Sequence, residues 1–345
     1  MSCHQAYRSS IRHRTAIVLA ALVVLVLLFV ADLAVGASDL TLLRAVEALL
    51  TGPGGESIDA VIVWSIRLPM TLTALFVGTA LALAGLEIQN ITSNALASPS
   101  TLGISSAASF GAALAITFGA TLFGQAWLGT AVSAFCLALI VSAAVFWIGS
   151  RESMHPTTLI LAGIVMNFFF MALQQFLQYR ASPEIAQVIS GWTFGNLERS
   201  TWTSTAAAAA VTVGASLYLV RQSWALTALT VGEERARSLG VPVTRLRITV
   251  FAASALLVAA AVGFIGTIGF VGLVAPHCAK LVLGEDQRFL LPGTVIAGGI
   301  LMLASSIAAK FLSTGAMLPV GIITSLVGVP FLLFLLLKTR RENMA

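Results

Sequence analysis

Residues 247–283 read RITVFAASALLVAAAVGFIGTIGFVGLVAPHCAKLVL, and no Asp, Glu, Lys or Arg occurs between Arg247 and Lys280. An α-helix needs about 20 mostly apolar residues to cross the hydrocarbon core of a bilayer. This stretch is long enough for two such helices, separated by a glycine-rich break. Similar apolar runs recur along the chain, so the sequence predicts a single all-α, polytopic membrane domain over residues 1–345.

The composition agrees with a surface that faces lipid. Of the 345 residues, 58% are hydrophobic and only 10% are charged, and the mean hydropathy is +0.97. Soluble proteins carry about 25% charged residues. The net charge of +5 lies in short segments between apolar runs. Such charges orient a membrane protein, so they do not indicate nucleic-acid binding.

We predict ten membrane-spanning helices. Their approximate bounds are 15–35, 66–88, 101–120, 126–149, 156–179, 203–220, 247–265, 269–283, 290–310 and 320–337. The basic start and the apolar run from Ala16 to Val30 are also compatible with a cleaved signal peptide. Because many further spans follow, a retained first helix is the simpler interpretation.

The distribution of basic residues predicts that both termini are cytoplasmic. Ten spans with this orientation put fourteen of the 19 basic residues inside, as the positive-inside rule predicts. The five placed outside are Arg44, Arg67, Arg180, Arg199 and Lys310.

Glycine spacing indicates close helix packing. Glycine occurs at every third position from Gly263 to Gly272, at membrane depth and after no strand, which favours a packed helix break over a nucleotide loop. Residues 77–113 and 263–303 share a Gly-rich helix, a polar turn with Pro and a small-residue helix. Because they lie five spans apart, we predict a possible inverted repeat.

No signature of an enzyme, metal site or bound cofactor is present in the sequence. The histidines and cysteines are scattered, and neither a GxSxG nor an HExxH motif occurs. The chain has no Gly-Lys pair and hence no P-loop, so ATP hydrolysis has to come from another chain. We therefore expect no catalytic residue, no metal ligand and no cofactor held by this chain.

A few polar side chains fall inside apolar runs. Asn167, Gln174 and Gln178 share one face of the fifth span, where they either line a pathway or hydrogen-bond neighbouring helices. Glu87 lies near the inner end of the second span, where a carboxylate can reach the interface.

Residues 226–247 form the most informative polar segment. Two acids, Glu233 and Glu234, suit the first turn of a helix, and Gly240 and Pro242 suit its end. We predict a helix of about two turns and a second short helix that starts at Pro242. Such an inside loop offers Leu239 and Val241 to a cytosolic partner, although a solvated connector is the alternative.

Several motifs occur in a fixed order along the chain. They are Arg67-Leu68-Pro69, residues 94–99 (NALASP) with Leu102-Gly103, residues 161–164 (LAGI) with Asn167, Gly191-Trp192, residues 269–273 (GFVGL) with Pro276-His277, residues 318–321 (LPVG) and residues 328–331 (GVPF). In these motifs the chain, from about Ile66 to Leu337, resembles the FecCD-type permeases for iron-siderophore, haem and cobalamin uptake.

The resemblance implies a type II ABC importer permease with ten helices per subunit. It implies a second permease subunit, two cytosolic ABC ATPases and an external substrate-binding protein. It also implies that residues 226–247 are the coupling loop and that Arg67 and Lys310 present cations to the binding protein. A simpler role for these two cations is to reach lipid headgroups. The coupling residues implied by the resemblance are Gly232, Glu233, Glu234, Arg235, Ala236, Leu239 and Gly240.

The chain departs from the family pattern at several positions. These are Met70, Ala95, Gln287, Ser306, Lys310 and Met317, and Arg235 replaces an Ala in the coupling motif. The missing outer charges favour a heterodimer, in which a second permease supplies them. The expected cargo is an iron-siderophore or similar chelate, with cobalamin or haem as alternatives. A secondary transporter, or a membrane enzyme that would need a catalytic cluster, remains a competing class.

Overall fold

The structure is a computed structural model that describes residues 3–36, 40–55, 57–151, 155–313 and 317–342, and these residues are almost entirely helical. Its α-helices, in chain order, are α1 (Cys3–Ala34), α2 (Leu42–Thr51), α3 (Ile58–Ile62), α4 (Leu68–Thr92), α5 (Ile104–Thr117), α6 (Ala126–Arg151), α7 (Pro156–Arg180), α8 (Pro183–Thr193), α9 (Trp202–Arg221), α10 (Ser223–Thr230), α11 (Glu233–Ser238), α12 (Val243–Ile265), α13 (Val271–Leu283), α14 (Gln287–Leu312) and α15 (Val320–Glu342).

The all-α polytopic class is confirmed. Within the described ranges, seven helical segments are long and apolar enough to cross a membrane, and three shorter apolar helices begin at Ile104, Val271 and Val320. Each of the ten predicted spans overlaps one of these segments. The number of actual crossings stays a prediction, because length and composition alone define a candidate span.

Two of the short helices, α5 and α13, follow irregular backbone at residues 93–103 and 266–270. A helix of 14 residues, such as α5, is only about 21 Å long. The helix lengths in the two proposed repeat segments, residues 77–113 and 263–303, do not by themselves establish an inverted repeat. The long α4 precedes the short α5, whereas the short α13 precedes the long α14, so the repeat remains a prediction.

Contacts between distant segments define the two ends of the helix bundle. At one end, Arg14 lies 3.8 Å from Asp286, and Thr227 contacts Gln287. At the other end, Met317 donates its backbone N–H to Glu198, and Trp202 donates its indole N–H to Trp64 O. We call these the α11 end and the α8 end. The five basic residues that the sequence placed outside belong to the α8 end.

The core is built on α4, which packs against α12, α13 and α14, and its backbone closely approaches those of α13 and α14. A Cβ at Gly78 would collide with the carbonyl of Gly298 on α14, and a Cβ at Gly85 would collide with that of Gly272 on α13. In lipid no hydrophobic force drives helices together, so their association depends on van der Waals packing. Small residues at the crossings allow the backbones to approach closely enough for this packing. These contacts explain why α4 is buried along most of its length.

Several elements differ from the prediction. The prediction of a second short helix that starts at Pro242 is wrong. Pro242 is the N-cap of α12, a long helix that runs unbroken from Val243 to Ile265. The second short helix of the loop is instead α10, which the sequence reading missed. At the α8 end, α2 and α3 precede a π-helical turn at residues 63–67 that leads into α4. Apolar periodicity does not report such turns, since they depend on tertiary contacts.

Candidate functional site

The loop between α9 and α12 consists of α10 and α11, separated by Gly232. The end of α11 follows its sequence closely. Gly240 has φ +82°, its N–H donates to Arg237 O at 2.9 Å, and Val241 N–H donates to Ala236 O at 3.0 Å. This pair of bonds is a Schellman ending, which needs a residue with positive φ at the position of Gly240.

An ion pair fixes the direction of α11. Glu233 accepts from Arg247 of α12 at 2.9 Å and from Arg237 at 2.6 Å, and the Arg247 side chain is only 4% exposed. Partial burial opposes ionisation of Glu233, but Arg247 and Arg237 outweigh it and hold the pKa of this carboxyl below its usual range. Glu233 therefore holds α11 against α12.

The remaining loop residues divide into a buried and an exposed set. Ala236 and Val241 are buried, so the expectation that Val241 offers a contact to a partner is wrong. Leu239 is 59% exposed and Val231, which the sequence reading had not selected, is 53% exposed. Gly232, Glu234, Arg235 and Gly240 are exposed beside them. The loop thus presents a small charged surface with two apolar side chains.

The neighbouring helix α10 joins this loop to the core. It packs on both α4 and α14, and Thr227 Oγ1 accepts from the backbone N–H of Gln287, the first residue of α14, at 3.2 Å. A force on α10 therefore reaches two long core helices directly, and a force on α11 reaches them through α10.

At the α8 end, a buried charge network joins α1, α4 and α14. Lys310 Nζ lies 2.8 Å from Asp32 Oδ1, with the two side chains 3% and 0% exposed. Thr71 Oγ1 donates to Asp32 Oδ2 at 2.6 Å. Arg67 is 3% exposed and its Nη1 donates to the carbonyls of Leu33 and Ala34 at 2.8 and 2.6 Å.

This network shows where the two docking candidates lie. Arg67 and Lys310 are brought together, but both are turned into the protein, and the contacts of Lys310 are with Asp32 rather than with lipid. Sequence reasoning missed Asp32, whose signal was a single acid near the end of an otherwise apolar span. The docking role of the two cations stays a prediction.

A cavity of about 660 Å³ adjoins the network. Arg67 and Lys310 line it together with Glu198, and Met70 and Met317, two positions that depart from the family pattern, complete one wall. Both cations therefore border a space that a ligand or partner group can occupy. Direct contact with Lys310 would compete with Asp32.

The polar stripe of α7 makes hydrogen bonds to neighbouring helices. Asn167 Oδ1 accepts from Ser106 of α5, Gln174 Nε2 donates to Thr193 Oγ1 at 3.0 Å, and Gln178 Nε2 donates to Ser190 Oγ at 3.3 Å. Thr193 and Ser190 lie on α8, which the sequence reading had not treated as a helix.

Two of these residues also line a groove. Gln174 and Gln178 face a cavity of about 400 Å³ with Ser105, Ser109 and Thr193. A second cavity of about 570 Å³ shares Thr193, Thr267 and Gly269 with the first and continues along α15. The surrounding residues are hydroxyl, amide or apolar in character. Polar side chains at membrane depth face a cavity or another protein rather than lipid, so both roles considered for the stripe are compatible with this geometry.

Glu87 does not reach the interface as the sequence suggested. Its side chain is 0% exposed, and Asn90 Nδ2 donates to its Oε2 at 3.4 Å. Lys280 of α13 interacts with it electrostatically. Within the described part of the chain, no group of three His, Cys, Asp or Glu side chains is arranged to hold a metal ion.

Comparison with known proteins identifies the family. The profile of the FecCD transport family matches residues 24–338, which is almost the entire chain. The chain belongs to the FecCD transport family. It is therefore a transport permease of the membrane-embedded type, and the fold and the resemblance inferred from the motifs agree with this assignment.

Individual relatives extend the comparison. The cobalamin import system permease of Halobacterium salinarum is 39% identical over 277 residues, covering 80% of this chain and 73% of the relative. The iron(3+)-citrate import system permease of Bacillus subtilis is 31% identical over 338 residues and covers 98% of both chains. A solved inward-facing ABC transporter assigned to the metal-chelate type has a TM-score of 0.82, with 32% identity, 94% of this chain and 99% of that chain covered.

Proposed function

We propose that this FecCD permease is the membrane-spanning subunit of an ABC importer that carries an iron-siderophore or similar iron chelate across the inner membrane. The single observation that carries the proposal is the family match over residues 24–338. A capped helix at the loop between α9 and α12 supports it, because an importer needs a rigid element through which ATP hydrolysis acts on the permease.

The proposed partners follow from the surfaces at the two ends. One of two cytosolic ATPases would bind the exposed surface of α11 in this subunit, with Leu239 and Val231 as apolar contacts. A second permease subunit would close the groove beside α7 and α15, where Phe168, Phe169 and Leu326 are exposed. Because Met70 and Met317 stand where the family often has charges, a heterodimer is favoured. No cofactor is assigned to this chain.

In the proposed orientation, the α11 end and both termini lie in the cytoplasm. Most basic residues lie at that end, in agreement with the positive-inside rule. The α8 end, with its cavity beside Arg67 and Lys310, would then face an external substrate-binding protein. Gln174 and Gln178 would line the translocation pathway, with Asn167 supporting them through its bond to Ser106.

Uptake measurements with different chelates identify the cargo. Relatives named for iron citrate, cobalamin, haem and molybdate all match this chain. The experiment reconstitutes the permease with its ATPase and binding protein in proteoliposomes and measures uptake of ferric chelates, cobalamin and haem. ATP-dependent uptake of ferric chelates is expected. Uptake of only cobalamin or haem would replace the cargo, and uptake without ATP would place the chain among secondary transporters.

Docking at the α8 end needs a variant that keeps the buried ion pair. Simple reversal of Lys310 would put two acids together and disturb the fold. The exchange Asp32→Lys with Lys310→Asp preserves the pair but moves the cation from α14 to α1. We expect weaker binding-protein docking, because the cation leaves the position that Lys310 holds beside the cavity. Stability should fall by only about 1 kcal/mol, since the exchange removes the acceptor of Thr71 but keeps the ion pair. Unchanged docking would make Lys310 purely structural.

A further inference from the structure

Helical periodicity places two glutamines, Gln89 and Gln287, on the facing sides of α4 and α14. The two helices are in backbone contact at Gly78 and Gly298. Gln89 follows Gly78 by eleven residues, and Gln287 precedes Gly298 by the same number. Eleven residues make about three helical turns, so each position returns to the contact side. Because the two helices are antiparallel, Gln89 and Gln287 occupy the same level.

Both side chains are deeply buried. Gln89 is 2% exposed and Gln287 is 0% exposed, and among the described residues neither amide nitrogen nor amide oxygen has a hydrogen-bond partner. A buried amide without partners is unfavourable. Each side-chain amide offers two donors and one acceptor oxygen, so two of them can satisfy each other with a pair of hydrogen bonds. A small relative movement of the helices would therefore be favoured by pairing.

The helix α10 lies beside the ends of α4 and α14 that carry Gln89 and Gln287. It packs on both α4 and α14, and its Thr227 holds the backbone N–H of Gln287. Asp286 caps the same end of α14 by accepting from Arg288 N–H at 3.1 Å. Displacement of α10 thus acts on the residue that carries one of the two amides. This is a physical connection between the loop and the contact of the two core helices.

We propose that Gln89 and Gln287 are positioning residues for coupling, which form an amide clasp between α4 and α14. The clasp is open in the conformation described here, which is similar to an inward-facing transporter, and it closes when nucleotide-driven movement of the ATPases shifts α10. The inference rests on the proposed function, because it needs an ATPase that acts on α10 and α11.

Crosslinking tests the movement directly. Gln89→Cys and Gln287→Cys are introduced together in a chain that lacks Cys3, Cys136 and Cys278, and the complex with its ATPase is oxidised without nucleotide and after trapping with ATP and vanadate. Crosslinking should be several-fold higher in the trapped state. Equal yields in both states overturn the proposal. The control pair Thr79→Cys and Val295→Cys, near the fixed crossing, should crosslink equally in both.

Transport coupling gives a second readout. Gln89→Leu and Gln287→Leu should each raise the ATP hydrolysed per cargo molecule about five- to tenfold, a change that corresponds to the roughly 1 kcal/mol net contribution of a hydrogen bond. The double variant should be no worse than either single variant, because one substitution already opens the clasp. Additive effects, or an unchanged ratio, overturn the clasp. Ser306→Ala removes a buried unpartnered hydroxyl farther along α14 and should leave the ratio unchanged.

Failure of the proposed function and failure of the amide clasp give different results. If the wild-type complex shows no ATP-dependent uptake, the proposed function is wrong, and the clasp, which depends on it, is wrong too. If the wild type transports normally and the glutamine variants couple as well as the wild type does, only the clasp is wrong.

Discussion

Asp32 lies where α1, α4 and α14 meet, and its carboxylate contacts groups from both other helices. Its partners Lys310 and Thr71 are far away in sequence, and all three side chains are buried. An ion pair in a low-dielectric interior is costly to break, because the remaining charge has neither water nor a counter-ion. The pair therefore contributes more to helix arrangement than an exposed pair would.

Removing this carboxylate should destabilise the permease. Asp32→Asn leaves Lys310 charged and buried, and we expect a loss of roughly 3–5 kcal/mol in the free energy of unfolding. Thr71→Val removes one neutral donor and should cost about 1 kcal/mol. Thermal unfolding of the purified protein in detergent measures both. Asp32→Leu with Lys310→Met should recover most of the loss, and equal stability of Asp32→Asn and wild type would contradict the role of the pair.

The sequence could show that Arg67 and Lys310 are unusual cations, but not that they are buried. Hydropathy is a local property, and it places both residues near span ends. The partner of Lys310 belongs to α1, and contacts of this separation follow from packing rather than from periodicity. The same reason applies to Gln174, whose partner Thr193 lies on a helix that local patterns did not reveal.

At the scale of elements, α11 is the part that local chemistry predicts best. Its acids at the first turn and Gly240 after its end follow the usual capping preferences. The direction of the helix depends on the Glu233–Arg247 pair, which no local pattern shows. For this reason the local pattern predicts a helix of nearly correct length but wrongly predicts that Val241 is exposed.

The C-terminal ending of α11 should be needed for coupling. Gly240→Pro cannot adopt φ near +82° and also removes the N–H that Arg237 O accepts. We expect insertion to persist while uptake falls at least tenfold and ATP hydrolysis continues, because a misdirected α11 no longer transmits ATPase movement. Gly240→Asn, which tolerates positive φ, is the control and should retain most uptake. Normal uptake in Gly240→Pro would refute a coupling role for this loop.

The orientation of α11 should also depend on pH through Glu233. The folded-state pKa of this carboxyl is lowered, so its pairing stabilises the loop at and above the usual carboxyl range and is lost as pH falls through the lowered value. A fluorophore on Ser238→Cys, in a chain without native cysteines, should show constant anisotropy from neutral pH downwards and then a decrease in strong acid. Glu233→Gln should give low anisotropy at every pH, whereas Glu234→Gln should follow the parent.

The whole molecule is the scale at which the composition was most informative. Apolar length and the distribution of basic residues are sums over many positions, so single errors change them little. They predicted the polytopic helical class correctly. They could not predict α2, α3 or α10, because each of these depends on contacts between distant parts of the chain. The irregular segment at residues 266–270 agrees with the helix break that the glycine spacing predicts.

The two ends of the molecule should be accessible from opposite sides of the membrane. Glu184 lies at the α8 end, Ser238 at the α11 end, and both are exposed. In a chain without Cys3, Cys136 and Cys278, Glu184→Cys should react with an impermeant maleimide added to intact cells, whereas Ser238→Cys should react only after permeabilisation.

Cysteines at three further positions extend the test. Those at Glu56 and Thr314 should label like Glu184→Cys, and one at Ser153 should label like Ser238→Cys, although these three positions lie outside the described residues. The reason is the position of fourteen basic residues on the Ser238 side, where translocation of so many charges is opposed. Labelling of Ser238→Cys in intact cells, with cytosolic marker proteins unlabelled, would reverse the orientation and place the proposed ATPase surface on the wrong side of the membrane.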